Sequence, residues 1–121
     1  MINAPTQEQL NKLPRLYETE EIGPADKIVH LHFTCDQCHW WAMEWDGEDT
    51  FFGYVLLNSW SIDAEFGYFT LSELLEVNGG GWLQVENDPT FIPRPVKEVG
   101  LIRETMQFQA KIQERFAQQI A

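Results

Sequence analysis

Between Lys27 and Arg94 the sequence contains no lysine and no arginine: 66 residues carry eleven carboxylates and no full positive charge. Such a surface repels phosphates and cannot displace their counterions, so direct binding of nucleic acid is not expected. Long apolar runs are missing too. The longest near the centre, Phe51 to Leu57, is interrupted by Gly53 and falls well short of the roughly 20 residues of a spanning helix, so no membrane span is expected. Met1 to Leu16 has no basic start followed by an apolar block. A signal peptide is therefore not expected, and the cytoplasm is the expected compartment. The two cysteines are expected as thiols there, not as a staple.

What is present is a folded domain. The 121 residues leave room for one ordinary core, and a hydrophobic content of 44% with five Trp and eight Phe excludes a disordered acidic tail. The charge is segregated. Residues 1–27 sum to -2 and residues 94–121 to +2, so the middle carries the whole net charge of -11, together with 13 of the 16 aromatics. The organisation expected is a single domain over 1–121: an N-terminal helix and connector (1–27), an acidic, aromatic-rich sheet core (28–93) and a C-terminal helical arm (94–121).

Thr6 and Gln9 have capping-box spacing ahead of Leu10 and Leu13, and Pro14 stops that helix. Leu16 to Lys27, with Gly23 and Pro24, is a connector. Ile28 to Thr34 is a strand with His30 and His32 on one face and Val29, Leu31 and Phe33 on the other. His39 to Trp45 and Thr50 to Leu57 pair around the turn Asp46, Gly47, Glu48, Asp49, where Asp-Gly is a strong hairpin signal. The second of these is apolar at both parities, as a strand covered on both faces is. Glu65 to Thr70 is a further strand, Leu71 to Val77 a short helix capped by Thr70 or Ser72 and ended by Asn78 and three glycines, and Trp82 to Val85 an edge strand. At about 100° per residue, Leu101, Ile102, Met106, Ile112, Phe116 and Ile120 fall on one side of a C-terminal helix and Arg103, Glu104, Lys111, Glu114 and Arg115 on the other. Covering its own sheet is the expected use of that stripe. The fold class is α+β: an antiparallel sheet of about four to five strands, in meander and hairpin connection, flanked by short helices, with a C-terminal amphipathic helix.

Three constellations could carry chemistry. His30, His32, Cys35, Cys38 and His39 offer borderline and soft ligands within ten residues. Zinc wants four, but a structural site joins two distant ligand pairs, and the chain has no other Cys or His. A satisfied sheet face is the preferred reading, with a small zinc site on His30, His32, Cys35 and Cys38 as the alternative and no cofactor expected. The C-x-x-C-H run also matches haem attachment, which needs export, and a dithiol redox role needs a helix N-terminus where a strand is expected. Glu44, Asp46, Glu48 and Asp49 do not meet the calcium-loop spacing and coincide with the turn. Gly79 to Gly81 lacks the Lys-Ser/Thr of a phosphate loop. The third set is Trp40, Trp41, Trp45, Trp60 and Trp82. Base stacking needs neighbouring cations, so core packing is expected for most, with one of the adjacent Trp40 and Trp41 partly exposed as a partner anchor.

Leu16-Tyr17-Glu18-Thr19-Glu20, Asp26 to Leu31, Asp46 to Gly53 and Glu65 to Leu74, in this order, resemble the family known as domain of unknown function 2958. The resemblance covers about Leu16 to Pro95 and implies an α+β domain, carried by plasmids, integrative elements and phages, with no activity attached. Its matching positions are acidic and aromatic: Tyr17, Glu18, Glu20, Glu48, Asp49, Phe52, Glu65, Tyr68 and Glu73. Taken with the anionic run, it leads to the expectation of a non-enzymatic binding protein that inhibits a nucleic-acid-handling host defence complex, of anti-CRISPR or antirestriction type. Such a protein presents carboxylates where DNA phosphates would lie. The expected partner is a host protein or complex with a basic nucleic-acid-binding surface, and homodimerisation is compatible with it. Glu44, Asp46, Glu48, Asp49, Asp63 and Glu65 are the candidate contact residues.

Overall fold

The β-hairpin around Asp46 to Asp49 is the centre of the architecture. A computed structural model describes residues 1–58, 61–77 and 82–120. Its elements are α1 (Gln7–Asn11), β1 (Ile28–Val29), β2 (Leu31–Cys35), β3 (Cys38–Trp45), β4 (Thr50–Leu56), β5 (Glu65–Thr70), α2 (Leu71–Glu76), β6 (Glu86–Asn87), β7 (Arg94–Pro95) and α3 (Gly100–Ile120). Single 3-10 turns occupy Pro24–Asp26, Ser61–Asp63 and Val96–Glu98. Five strands form one antiparallel sheet in the order β5-β4-β3-β2-β6, and β1 and β7 form a separate antiparallel pair. The fold is α+β, as expected.

Both faces of the sheet are covered. On one, Leu31, Phe33, Ala42, Trp45, Phe51 and Phe69 pack with Leu10 and Leu13 of the N-terminal arm and with Leu74 of α2. On the other, Trp41, Met43, Tyr54 and Leu56 pack with Val29, Val96, Val99 and Ile102. The exchange of parity within β3 comes from an irregularity between Ala42 and Glu44: Ala42 pairs with Gly53, whereas Glu44 pairs with Phe52. Met43 is the extra residue of a β-bulge, and it moves Trp45 to the face opposite Trp41. Trp40 is half-buried on one face and Trp41 buried on the other.

Local signals set the element ends. Thr6 and Gln9 form the reciprocal capping box, with Thr6 Oγ1 accepting from the Gln9 N–H at 3.1 Å and Gln9 Oε1 from the Thr6 N–H at 3.0 Å. Of the two candidate caps for α2, Thr70 is the one used. In the central turn Asp46 Oδ1 accepts from the N–H groups of Glu48, Asp49 and Thr50, and Gly47 supplies the left-handed φ of 92°.

Four expectations change. The strand expected over Ile28 to Thr34 breaks at His30: β1 leaves the main sheet for β7, and Val29 joins the core opposite Leu31 and Phe33. The edge strand forms at Glu86–Asn87 and not at Trp82 to Val85, where Trp82 is 89% exposed. Helix α3 covers its own sheet only through Ile102, Thr105 and Met106 near its start; Leu101, Phe108, Ile112 and Phe116 are exposed. Trp82 therefore leaves the set of core tryptophans, while Trp60 and the stop at Asn78 to Gly81 lie outside the described residues.

The backbones of β3 and β4 approach closely beside the bulge. A Cβ on Gly53 would lie 1.8 Å from the Trp41 carbonyl oxygen, so no side chain fits without parting β3 from β4. By circular dichroism the parent chain is expected to give a cooperative thermal transition that Gly53→Ala abolishes, whereas Gly67→Ala, where a Cβ meets open space, keeps it.

A candidate interaction site at the hairpin end of the sheet

The bulge that reverses Trp45 also turns Glu44 inward. Expected as a surface contact residue, Glu44 is instead only 4% exposed, and its carboxylate is occupied: Oε1 accepts from the Tyr17 N–H at 2.9 Å and Oε2 from the Thr19 hydroxyl. Lys27, also buried, donates from Nζ to the Thr19 carbonyl and to Thr19 Oγ1 and lies 5.9 Å from the centre of the Phe52 ring. Thr19 thus stands between a buried anion and a buried cation. This network ties the connector across the hairpin end of the sheet, helped by the Trp45 N–H donating to the Pro14 carbonyl at 2.9 Å.

The network holds Tyr17 in the left-handed region, at a φ of 72°, an unfavourable conformation for a bulky side chain. Its ring is left on the surface, 61% exposed, beside Tyr68 of β5, itself 55% exposed. Interaction with Tyr17, more than the neighbouring charges of Glu44 and Glu20, holds the Tyr68 phenol above the usual tyrosine range. Exposed Glu18 and Glu20 flank Tyr17 in the connector, and exposed Glu48 and Glu73 stand at the turn and at the start of α2 beside it. Two exposed aromatic rings thus lie among exposed carboxylates, with the Arg15 guanidinium against the turn at Gly47; in such an arrangement amphipathic rings can supply contact area and carboxylates steering.

The six candidate carboxylates are not brought together. Glu44 is buried. Asp46 is taken up by the turn, and those hydrogen bonds hold its carboxyl below the usual range against the opposing effect of partial burial. Asp49 accepts from the Ser72 N–H at 2.9 Å and from its hydroxyl at 2.6 Å, tying α2 to the turn. Glu48 remains exposed at this end. Asp63 and Glu65 are exposed at the other end of the β4–β5 pair, since Glu65 pairs with Val55 and Thr70 with Thr50. Tyr17 and Tyr68, absent from the candidate set, had one signal in the sequence: both belong to the acidic and aromatic stretches that carry the family resemblance.

The histidine and cysteine run is divided by the sheet. His32 and Cys35 alternate to opposite faces, Cys35 into the core with Phe33 and His32 onto Trp41. His30, His32, Cys35 and Cys38 therefore do not converge on one point, and among the described residues no group of three or more His, Cys, Asp or Glu is placed to hold a metal. Burial is the main cause raising the Cys35 thiol above its ordinary value, which disfavours the thiolate a redox centre uses. His32 finds a partner the spacing did not suggest. Its Nε2 lies 2.9 Å from His39 Nδ1, its Nδ1 lies 3.6 Å from Asp88 Oδ2, and both rings lie parallel to the Trp41 indole. One ring donates and the other accepts, so the pair is built for neutral imidazoles. Burial, then the nearby His39, lowers His32 to about 4 despite Asp88.

Residues 3–98 match the model of a family described as "Protein of unknown function (DUF2958)". No curated protein and no solved structure matches the chain.

Two outcomes are expected. Glu44→Ala leaves the Tyr17 N–H and the Thr19 hydroxyl without an acceptor and should cost about 3 kcal/mol in urea denaturation, because buried donors that lose a charged partner carry their full desolvation penalty. For His32, the unfolded chain takes up a proton near pH 6.5 and the folded chain only near 4. The stability that neutral His32 provides is therefore complete above about pH 6.5 and is lost as the pH falls towards 4. Urea midpoints measured across that window should fall less steeply for His32→Asn than for the parent chain.

Proposed function

The chain belongs to the DUF2958 family of proteins of unknown function, and from that premise and its surface we propose that it is a non-enzymatic binding protein that inhibits a nucleic-acid-handling host defence complex, of anti-CRISPR or antirestriction type. The partner offers a basic, nucleic-acid-binding surface. Tyr17 and Tyr68 are the anchors, and Glu18, Glu20, Glu48 and Glu73 take the places of phosphates around them. The mobile-element setting that the family resemblance implies agrees with an inhibitor of this kind.

The observation that carries this reading is the exposed Tyr17–Tyr68 pair among the exposed carboxylates Glu18, Glu20, Glu48 and Glu73, which outnumber the Arg15 guanidinium lying against the turn at Gly47. Among the described residues, the eleven carboxylates of 28–93 meet one positive candidate, His32 beside Asp88, and that histidine is held neutral. A field of one sign speeds encounter with an oppositely charged channel, and desolvated tyrosines slow dissociation. Stable display of Tyr17 is the task of buried Glu44, so a positioning residue and the contacting residues are distinct.

The test is competition. A restriction endonuclease or CRISPR effector complex from a host of such elements is held on labelled duplex DNA, and the chain is titrated in. Displacement at near-stoichiometric concentration is expected, weakening as salt rises. Tyr17→Ala with Tyr68→Ala should weaken it at least 30-fold, about 2 kcal/mol, the scale of an interface hot spot. Glu20→Gln with Glu48→Gln should flatten the salt dependence. Displacement that is indifferent to salt and to all four substitutions refutes the proposal.

A further inference from the structure

The last part of α3 buries none of its residues against the rest of the described chain. Its final tie to the body is the Gln109 side chain, which donates from Nε2 to the Ala64 carbonyl at 2.6 Å, and residues 110–119 are all exposed. A helix facing only water is polar all round. This one carries exposed Phe108, Ile112 and Phe116 at four-residue intervals, edged by Lys111 and Arg115.

Beside the base of this arm are two adjoining hollows of about 420 and 370 Å³ that share Asp63 and Glu65. Exposed Ile62 and Leu57 give them apolar walls. Among the described residues, none of Asp63, Glu65, Lys111 and Arg115 forms an ion pair. The arm is therefore apolar with a cationic edge, and the hollows are apolar with an anionic rim. The cationic edge cannot reach the anionic rim within one chain. Gln109, Ile112 and Gln113 line the first hollow, while Lys111 and Arg115 lie roughly 180° around the helix from Gln109 and Gln113 at 3.6 residues per turn.

We propose that the hollows rimmed by Asp63 and Glu65 receive the α3 arm of a second copy, in a reciprocal homodimer. Each copy offers both surfaces, as a two-fold interface requires. Phe116 and Ile112 of one copy bury against Ile62 and Leu57 of the other, and Lys111 and Arg115 meet Asp63 and Glu65. The arm follows the family-matched residues 3–98, and the hollows lie at the end of the β4–β5 pair away from Tyr17 and Tyr68. The dimer therefore leaves both tyrosine patches free, and it stands whether or not those patches bind a defence complex.

Multi-angle light scattering on the full chain at tens of micromolar should give twice the 14.1 kDa chain mass. Ile112→Asp with Phe116→Asp should return the chain mass while keeping a cooperative thermal transition, since both side chains are exposed in the single chain. Lys111→Glu with Arg115→Glu should weaken the dimer at least tenfold. Adding Asp63→Lys and Glu65→Lys to that variant should restore it, because the opposed charges are then exchanged across the interface. A chain that is monomeric at 100 µM overturns the proposal, as does a dimer that survives the arm substitutions or a charge exchange that fails to restore association.

Discussion

The one-residue bulge at Met43 is the constraint on which the rest depends. An uninterrupted β3 would place Trp41, Met43 and Trp45 on one face and send Glu44 to the other with Ala42. With the bulge, Trp45 instead meets Phe51, which in turn meets Phe69, Met43 stays with Trp41 and Tyr54, and Glu44 comes to stand opposite Phe52. The backbones close in there, so Gly53 has to lack a side chain. One inserted residue thus fills both cores and carries a carboxylate to where the connector passes.

From that carboxylate the candidate site follows. A buried anion needs donors, and the connector supplies the Tyr17 N–H and the Thr19 hydroxyl, with Lys27 behind Thr19. The hydrogen bonds offset the unfavourable φ of Tyr17, whose ring is left on the surface beside Tyr68. Side chains that read as one acidic cluster along the chain therefore divide by task. Glu44, Asp46 and Asp49 build the hairpin end, and Glu48 stays free at its surface. Asp63 and Glu65 belong to the opposite end, beside the arm of α3.

Where the governing interaction was local, the sequence was legible. The capping box at Thr6 and Gln9, the Asp-Gly turn, the pairing of the strands around it and the Thr70 cap depend on side chains within a few residues of the backbone they bond. Where the interaction was distant, it was not. Nothing near Val29 announces that β7, some 65 residues on (Arg94), will draw β1 out of the main sheet. The expected stripe of α3 is real, but how much of it a sheet can cover depends on where the 3-10 turns at Ser61–Asp63 and Val96–Glu98 support the helix. His32 and His39 were read as part of one ligand run, although the alternation of β2 puts His32 and Cys35 on opposite faces.

The sequence by itself determined the class of fold, the family resemblance, the central hairpin and the segregation of charge, because periodicity, caps, turns and composition are properties of neighbouring residues. Which carboxylates are spent on the fold and which remain at the surface was decided only by the tertiary structure. A carboxylate's role depends on the donors that reach it. Tyr17 and Thr19 reach Glu44 from 27 and 25 residues away, and Ser72 reaches Asp49 from 23 residues beyond it.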